Sequence, residues 1–253
     1  MIYVLQCCHL LLKILLLPLF PVLIKQGKQI RKTVPKLEPP SDIASNQKEH
    51  QPYLLFIGES TLAGIGVKSH REGIAGQTVI ELSSLKKSDY AWKVLAKSGY
   101  RTREVLKKLM PQLPTEAPEC IIIGMGGNDT FQLTNPIRFV SELKMIIQIL
   151  KNTYPAAPIV LTGLPPVALF PAFKGLPATL LGIFVKLLAE AVKSLHQPKS
   201  EIYVMPSLLK KKDWETLPDI SIEKMFSDGV HPSGATYAIW GKQVAQYING
   251  LVL

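Results

Sequence analysis

Ser60, Asp228 and His231 have the side chains that together can carry out acyl transfer. Ser60 follows an apolar run that ends at Gly58, while Asp228 and His231 lie three positions apart near the carboxyl terminus. A serine hydroxyl is a weak nucleophile until a base takes its proton, and histidine is the side chain that titrates near neutral pH. An aspartate bonded to the far ring nitrogen fixes the imidazole tautomer. If the fold brings them together, these residue types provide a nucleophile, a base and a group that orients the base.

The same reaction needs donors for the oxyanion of its tetrahedral intermediate. Three candidates are the backbone N–H groups of Ser60 and Gly99 and the side-chain amide of Asn128. A glycine is suitable at position 99 because a Cβ there could block close approach of the backbone to substrate. The sequence thus contains donors as well as a candidate nucleophile.

Each of these residues also has an ordinary structural interpretation. Ser60 and Asn128 could cap helices, Gly99 could serve a turn, and His231 could be a capping or packed residue. Asp228 and His231 could also be metal ligands, but no further Cys, His or carboxylate cluster completes such a site in the sequence. The chemical interpretation therefore depends on whether the fold brings the residues together.

Strands and helices alternate along the chain from Tyr53 onward. The apolar pattern predicts strands at 53–58, 90–96, 119–125, 158–163 and 201–205. It predicts helices at 77–85, 103–110, 136–152 and 178–195, and a last one from Pro232 to about Ile248. This alternation indicates a parallel sheet covered on both faces. Ser60, Gly99 and Asn128 each follow a strand, so they should converge at one edge, where the loop before the last helix can bring Asp228 and His231.

Residues 1–24 are apolar except for Gln6, His9 and Lys13, and this stretch is long enough to cross a bilayer as a helix. Pro18 and Pro21 would kink it, and a helix lying in the membrane interface is the alternative. A cleaved signal peptide fits poorly, because no basic segment precedes the apolar run. We expect residues 1–24 to anchor the protein to a membrane, residues 25–50 to form a basic, proline-containing linker, and residues 51–253 to form the catalytic domain.

Basic residues give the chain a formal net charge of +10. They cluster only between Lys25 and Lys36 and at Lys210, Lys211 and Lys212, and no zinc spacing, RNP-like motif or basic heptad helix indicates nucleic-acid binding. Binding to an anionic membrane surface explains the positive charge at least as well as nucleic-acid binding does. The basic flank after the apolar stretch predicts that the catalytic domain lies on the cytoplasmic side. The three cysteines form no disulfide framework or metal spacing, and no phosphate-binding loop is present, so we expect no cofactor and no metal.

Four segments of the chain resemble the four blocks of the SGNH (GDSL-type) serine hydrolase family, in the family's order. They are Gly58-Glu59-Ser60, Gly99, Gly126-Gly127-Asn128-Asp129 and Asp228-Gly229-Val230-His231. The resemblance implies a flavodoxin-like three-layer α/β/α sandwich with a central parallel sheet, preceded here by the hydrophobic helix. It implies Ser60 as nucleophile, His231 as base, Asp228 as its orienting residue, and Ser60, Gly99 and Asn128 as the oxyanion hole. The usual Gly-Asp-Ser block reads Gly-Glu-Ser here, which puts the local hydrogen bonding of Glu59 in question.

We expect a membrane-tethered serine hydrolase that cleaves carboxylic esters, such as lipid acyl, lysophospholipid or simple esters. The alternatives are a carbohydrate O-acetyl esterase and a non-catalytic membrane-bound binding protein that retains the fold. The complete set of Ser60, Asn128, Asp228 and His231 argues against the binding protein, which has no need of all four. The apolar loop at 163–174 could line an acyl pocket, or it could simply pack on the helix that follows it.

Overall fold

The computed structural model describes residues 1–42, 44–206 and 221–251. The basic run at Lys210, Lys211 and Lys212 lies outside these residues. The account below concerns the described part of the chain.

A five-stranded sheet forms the centre of the molecule. Its strands are β1 (Tyr53–Gly58), β2 (Ala91–Ala96), β3 (Cys120–Gly124), β4 (Ile159–Leu161) and β5 (Ile202–Val204). All four pairings are parallel, and the strand order is β2-β1-β3-β4-β5. Every residue of β1 and β3 is buried, as their continuous apolar runs predict for strands covered on both faces. The predicted flavodoxin-like parallel sheet is confirmed.

Helices cover both faces of the sheet. They are α3 (Ile74–Lys86), α4 (Thr102–Glu104), α5 (Gly127–Phe131), α6 (Pro136–Thr153), α7 (Leu176–Val192) and α8 (Gly234–Gly250). The predicted helix at 103–110 is instead a short α-helical turn that continues as a π-helix over Val105–Leu109 and a 3₁₀ turn over Met110–Gln112. On one face α3 and α8 pack so closely that a Cβ at Gly241 would collide with Gln77.

The amino-terminal segment forms two helices, α1 (Ile2–Leu16) and α2 (Phe20–Thr33), joined by a 3₁₀ turn over Leu17–Leu19. The α-helix is therefore interrupted at Pro18, where the sequence predicts a kink, and Pro21 lies in the first turn of α2. The second helix, however, runs nine residues beyond the predicted end of the hydrophobic segment at Ile24. The first part of the predicted linker is thus helical, because α2 continues through the basic flank.

The first helix lies against the domain that contains the sheet. His9 is buried, and its Nε2 lies 3.2 Å from the Leu133 carbonyl oxygen, to which the Lys13 ammonium also donates at 3.1 Å. The His9 ring meets Phe184 of α7 edge-on, with 5.3 Å between the ring centroids. Burial and the nearby Lys13 charge lower the pKa of His9. His9 Nε2 and the Lys13 ammonium thus have their partner on the domain, whereas the buried Gln6 Oε1 and His9 Nδ1 have none among the described residues.

The end of the linker is also attached to the domain. Val94 donates its backbone N–H to the Ala44 carbonyl at 2.8 Å, and Asn46 donates to the Trp92 carbonyl at 3.2 Å. These bonds cover the outer edge of β2, which would otherwise expose unpaired backbone groups. The boundary near residue 51 stays a prediction, and the contacts favour a domain that begins before Ala44.

Candidate active site

Asp228 and His231 form a hydrogen-bonded pair in the loop before α8. Asp228 Oδ2 lies 2.7 Å from His231 Nδ1, while Oδ1 accepts the backbone N–H groups of Val230 at 2.9 Å and His231 at 2.7 Å. Burial would raise the pKa of the Asp228 carboxyl, but the His231 ring and these backbone donors outweigh it and hold that pKa below its usual range. A carboxylate on Nδ1 leaves Nε2 as the ring nitrogen that can accept a proton.

Ser60 lies on the turn that follows β1, at the edge of the sheet where the strands end. This is the point at which the strand order reverses between β1 and β3, and ligands of open α/β sheets bind at such points. The side chain is partly exposed. Its backbone N–H donates to no acceptor among the described residues, so it is free for a ligand.

Glu59 joins the Ser60 turn to the segment after β3. Its buried carboxylate accepts the backbone N–H of Gly127 at 2.7 Å through one oxygen and that of Asn128 at 2.9 Å through the other. Burial raises the pKa of Glu59 to about 7, against the lowering effect of these two donors. The glutamate that departs from the usual Gly-Asp-Ser block therefore fixes the position of Asn128 relative to Ser60.

Asn128 and Gly99 are brought together by the loop after β2. The Asn128 Nδ2 group donates to the Tyr100 carbonyl at 3.0 Å, which uses one of its two N–H bonds and leaves the other free. Gly99 has a φ of +80° that favours glycine, and an added Cβ would meet no atom within 4 Å. Conformation therefore requires the glycine, and the space beside it is open. The Gly99 N–H, like that of Ser60, has no acceptor among the described residues.

A buried carboxylate holds this loop against α5. Asp129 accepts both the backbone N–H and the hydroxyl of Thr102, at 2.9 and 2.8 Å. Burial raises the pKa of Asp129, and the two Thr102 donors oppose the rise. Two neighbouring residues of the motif Gly126-Gly127-Asn128-Asp129 thus contribute to the site in different ways. Asn128 lies at the edge of the sheet, and Asp129 holds the loop that contains Gly99 in place.

The turn after Ser60 and the loop of His231 are packed together. Tyr237 of α8 donates its hydroxyl to the Ile65 carbonyl at 2.7 Å, and the Ser227 hydroxyl donates to the Gly66 carbonyl at 2.7 Å. Gly66 has a φ of +106°, and a Cβ there would collide with the Pro232 carbonyl. The close backbone approach at Gly66 is a feature that sequence reasoning missed, although its place in a glycine-punctuated stretch after Ser60 was a signal.

The five predicted residues are thus gathered at one edge of the sheet, but not all of them are bonded to one another. Asp228 contacts His231 directly, and Glu59 links Ser60 to Asn128. Among the hydrogen bonds of the described residues, none joins the Ser60 hydroxyl to His231. Catalytic hydrogen bonds are often long or misaligned without substrate and tighten when it binds.

A cavity of about 1080 Å³ opens beside these residues, and we call it the N-terminal cavity. Asn128 and His231 line it on the side of the site. Phe173, from the apolar loop after β4, lines it too, whereas Phe170 of the same loop is buried against Phe226. The loop therefore both packs on the domain and contributes to the cavity wall.

The chain resembles a known protein family. The model of the GDSL-like Lipase/Acylhydrolase family matches residues 56–239, a range that spans all five predicted site residues. No match was found among curated proteins.

Several solved structures share the fold. A lipase, Lip_vut3, from a goat rumen metagenome is 18% identical with a TM-score of 0.62, and the match covers 79% of this chain and 98% of that one. A lipase/acylhydrolase from Enterococcus faecalis is 20% identical, with a TM-score of 0.58 and coverage of 79% and 96%. A family two carbohydrate esterase from Clostridium thermocellum, in complex with cellohexaose, is 16% identical, with a TM-score of 0.55 and coverage of 80% and 65%.

The family match covers most of the chain, from within β1 to within α8. The fold is shared with the similar lipase and lipase/acylhydrolase structures. This chain therefore belongs to the GDSL-like Lipase/Acylhydrolase family and is an enzyme that hydrolyses ester bonds.

Proposed function

We propose that this protein is a membrane-associated serine hydrolase that cleaves carboxylic esters of acyl chains, with Ser60 as nucleophile. One observation carries the proposal: His231, whose ring is bonded to Asp228, and Asn128 both line one large cavity. Beside them, the N–H groups of Ser60 and Gly99 have no acceptor among the described residues. Each of these polar groups has a role in acyl transfer.

The reaction begins when the Ser60 hydroxyl attacks the ester carbonyl carbon and its proton passes to His231 Nε2. Asp228 Oδ2 accepts the Nδ1–H and stabilises the imidazolium that forms. Collapse of the tetrahedral intermediate breaks the ester C–O bond, and His231 returns the proton to the departing alcohol. A water molecule, activated by His231 in the same way, then hydrolyses the acyl-Ser60 ester and releases the acid.

The oxyanion of each intermediate is stabilised by the Ser60 and Gly99 N–H groups and by the Asn128 amide. Because Glu59 binds the Gly127 and Asn128 backbone and Tyr100 binds the Asn128 side chain, the amide is held in place before substrate arrives. Donors that are fixed in advance need no reorganisation during the reaction, and such electrostatic stabilisation is usually a large part of catalysis.

We expect Asn128→Ala to lower kcat by roughly 10²–10³ with little change in KM, because the amide acts mainly on charge that develops in the transition state. Steady-state kinetics on a soluble short ester measures both values. Asn152→Ala, which removes an exposed amide at the end of α6, serves as the matched control and should behave as the wild type. A large rise in KM with kcat preserved would make Asn128 a residue that binds the ground state instead.

Turnover of p-nitrophenyl esters from acetate to palmitate tests the proposed activity and its substrate class. We expect hydrolysis across the series, with acyl chains longer than acetate preferred, because much of the wall of the N-terminal cavity is apolar. Activity confined to acetyl esters, together with release of acetate from an acetylated oligosaccharide, would favour the carbohydrate O-acetyl esterase. Binding of esters without turnover would favour the non-catalytic alternative.

The proposed membrane association rests on the exposed apolar surface of the amino-terminal helices. The segment Ile2–Leu19 has the length and composition of a membrane anchor or a signal sequence, and only 6% of it is buried in the protein. Its exposed apolar side chains include Leu10, Leu11, Ile14, Leu15 and Leu17. The opposite face binds the domain through His9 and Lys13.

The docked position of α1 supports a helix that lies in the membrane interface over one that spans it. Spanning would pull His9 and Lys13 away from the Leu133 carbonyl and place both in hydrocarbon, where ionisable side chains are expensive. In the interfacial arrangement the exposed leucines enter the lipid while the polar side chains keep their partners. We propose that the catalytic domain faces the cytoplasm, because the basic residues that follow the apolar stretch would be attracted to the anionic lipids of the cytoplasmic leaflet.

We expect the full chain to stay with membranes through high-salt and carbonate washes and to leave with detergent, since apolar burial is insensitive to salt screening. The double change Leu11→Glu and Leu15→Glu should release the protein, because both side chains are exposed on α1. The matched control places Glu at Ile80 and Leu85, exposed apolar positions of α3, and should stay bound. Release of the wild type by salt alone would contradict the apolar anchor, and digestion by protease added to intact cells would reverse the proposed sidedness.

A further inference from the structure

The N-terminal cavity is formed between two helix faces, and only one of them belongs to the region matched by the family. From α2 and the residue after its end come Leu23, Gly27, Ile30 and Val34, whose spacing places them on one face of a helix. From α7 come Pro177, Leu180, Leu181 and Phe184, which also share a face. Two apolar helix faces thus border one space, which has a volume of about 1080 Å³.

This space is large for a ligand pocket. Pockets for small molecules typically have volumes of roughly 300–1,000 Å³. The partly buried side chains of Leu23, Ile30 and Leu180 border the cavity, so they have surface that a ligand could cover. Apolar surface of this kind gains free energy when an apolar ligand covers it.

Polar residues also line the cavity, and Lys28 of α2, Lys36, Glu38, Asp42 and His70 are among them. Others are Lys97 and Ser98, which precede Gly99, as well as Asn128 and His231 of the site itself. A molecule that covers these two helix faces and reaches Asn128 and His231 therefore has an apolar part between α2 and α7 and a polar part at the site. An ester of a long acyl chain has this division, whereas a carbohydrate needs polar partners along its whole length.

We propose that the N-terminal cavity binds the acyl chain of the ester substrate, with α2 as one wall and α7 as the other. The inference rests on the proposed function and specifies its substrate class: esters of long-chain fatty acids. The amino-terminal segment then has two tasks, because α2 selects the acyl chain while the outer face of α1 contacts the membrane. Ile24, which lines the cavity and is 55% exposed, places the wall next to the surface from which a lipid chain would enter.

Gly27 offers the sharpest test, because a side chain can be added there without a collision. A Cβ at Gly27 would have no atom within 4 Å, and the residue lies inside α2, where replacing glycine does not disfavour the helix. The variant Gly27→Trp should therefore occupy the cavity. Gln29→Trp is the matched control, since Gln29 is exposed on the same helix and is not among the residues that line the cavity.

The full-length protein is assayed with p-nitrophenyl palmitate and p-nitrophenyl acetate in the same detergent micelles. We expect Gly27→Trp to lower the ratio of the palmitate kcat/KM to the acetate kcat/KM at least tenfold, and Gln29→Trp to leave it within twofold of the wild type. Leu180→Trp fills the cavity from the α7 wall and should lower the ratio as Gly27→Trp does. A ratio unchanged in both filling variants, with acetate still hydrolysed, would refute the acyl cavity while the proposed hydrolase stands.

Binding is measured separately, so that a failure of the hydrolase proposal does not decide this one. Binding of the fluorescent fatty acid cis-parinaric acid to the wild type should be at least tenfold tighter than to Gly27→Trp, and Gln29→Trp should bind it as the wild type does. Equal binding by all three proteins would overturn the inference, whether or not esters are hydrolysed.

Discussion

Ser60→Ala should abolish ester hydrolysis, with kcat reduced by about 10⁵–10⁶-fold as in other serine hydrolases that lose the nucleophile. The remaining rate would come from the oxyanion donors and from substrate binding, which this substitution leaves in place. Because an activated serine reacts with organophosphonates, a fluorophosphonate probe should label the wild type and fail to label Ser60→Ala. Activity and labelling should disappear together while the thermal unfolding transition is preserved, since the Ser60 hydroxyl has no hydrogen-bond partner among the described residues.

Mapping of the labelled peptide makes this test specific. The probe should be found on the peptide that contains Ser60. Ser84→Ala, which changes an exposed serine of α3, is the matched control and should be labelled as fully as the wild type. Labelling of Ser98, a serine that lines the cavity, would move the nucleophile to the loop after β2 and contradict the assignment.

The sheet could be predicted from the sequence because its strands carry their own signal. The runs that form β1 and β3 are continuous, apolar and bounded by glycine, and strands buried on both faces need this composition. The shorter β4 and β5 were predicted at the right places but too long, because the apolar pattern extends beyond the residues that pair. The ends of a strand depend on which residues of the neighbouring strands pair with it, and the apolar pattern along the sequence does not show this.

Contacts of the candidate site could be predicted where the residues are close in sequence, but not where they are far apart in sequence. Asp228 and His231 are close in sequence, so a single loop makes their bond. The role of Glu59 was not visible, because its partners Gly127 and Asn128 are more than sixty residues away and are backbone groups. The identity of a side chain says nothing about the hydrogen bonds of its backbone, so only the fold shows that the Glu59 carboxylate holds the segment that contains Asn128.

The sequence prediction and the structure differ most in the length and position of the amino-terminal helices. Composition indicated a membrane segment that stops at Ile24, because lysines become frequent after it. The spacing of Leu23, Gly27, Ile30 and Val34 continues an apolar face through that basic flank, and this was a signal for the longer helix. This face borders a cavity beside His231 because of tertiary contacts, and the spacing of residues along the sequence does not reveal such contacts.

The second large effect concerns the imidazole tautomer, and Asp228→Asn isolates it. In the wild type, Oδ1 of Asp228 accepts the Val230 and His231 backbone N–H groups, while Oδ2 accepts from His231 Nδ1. An asparagine whose oxygen keeps the two backbone bonds must turn its NH₂ group towards Nδ1. The ring then accepts at Nδ1 and carries its proton on Nε2, so it can no longer take the proton of Ser60.

We therefore expect Asp228→Asn to lower kcat by about 10⁴-fold while the loop and the thermal unfolding transition are retained, because the change affects the tautomer and not the loop geometry. His231→Ala should lower kcat by at least the same factor. Since the three residues act as a unit, the double variant with Ser60→Ala should be no slower than Ser60→Ala alone. Losses that multiply in the double variant would show that Asp228 and Ser60 act independently, which would exclude the proposed proton path through His231.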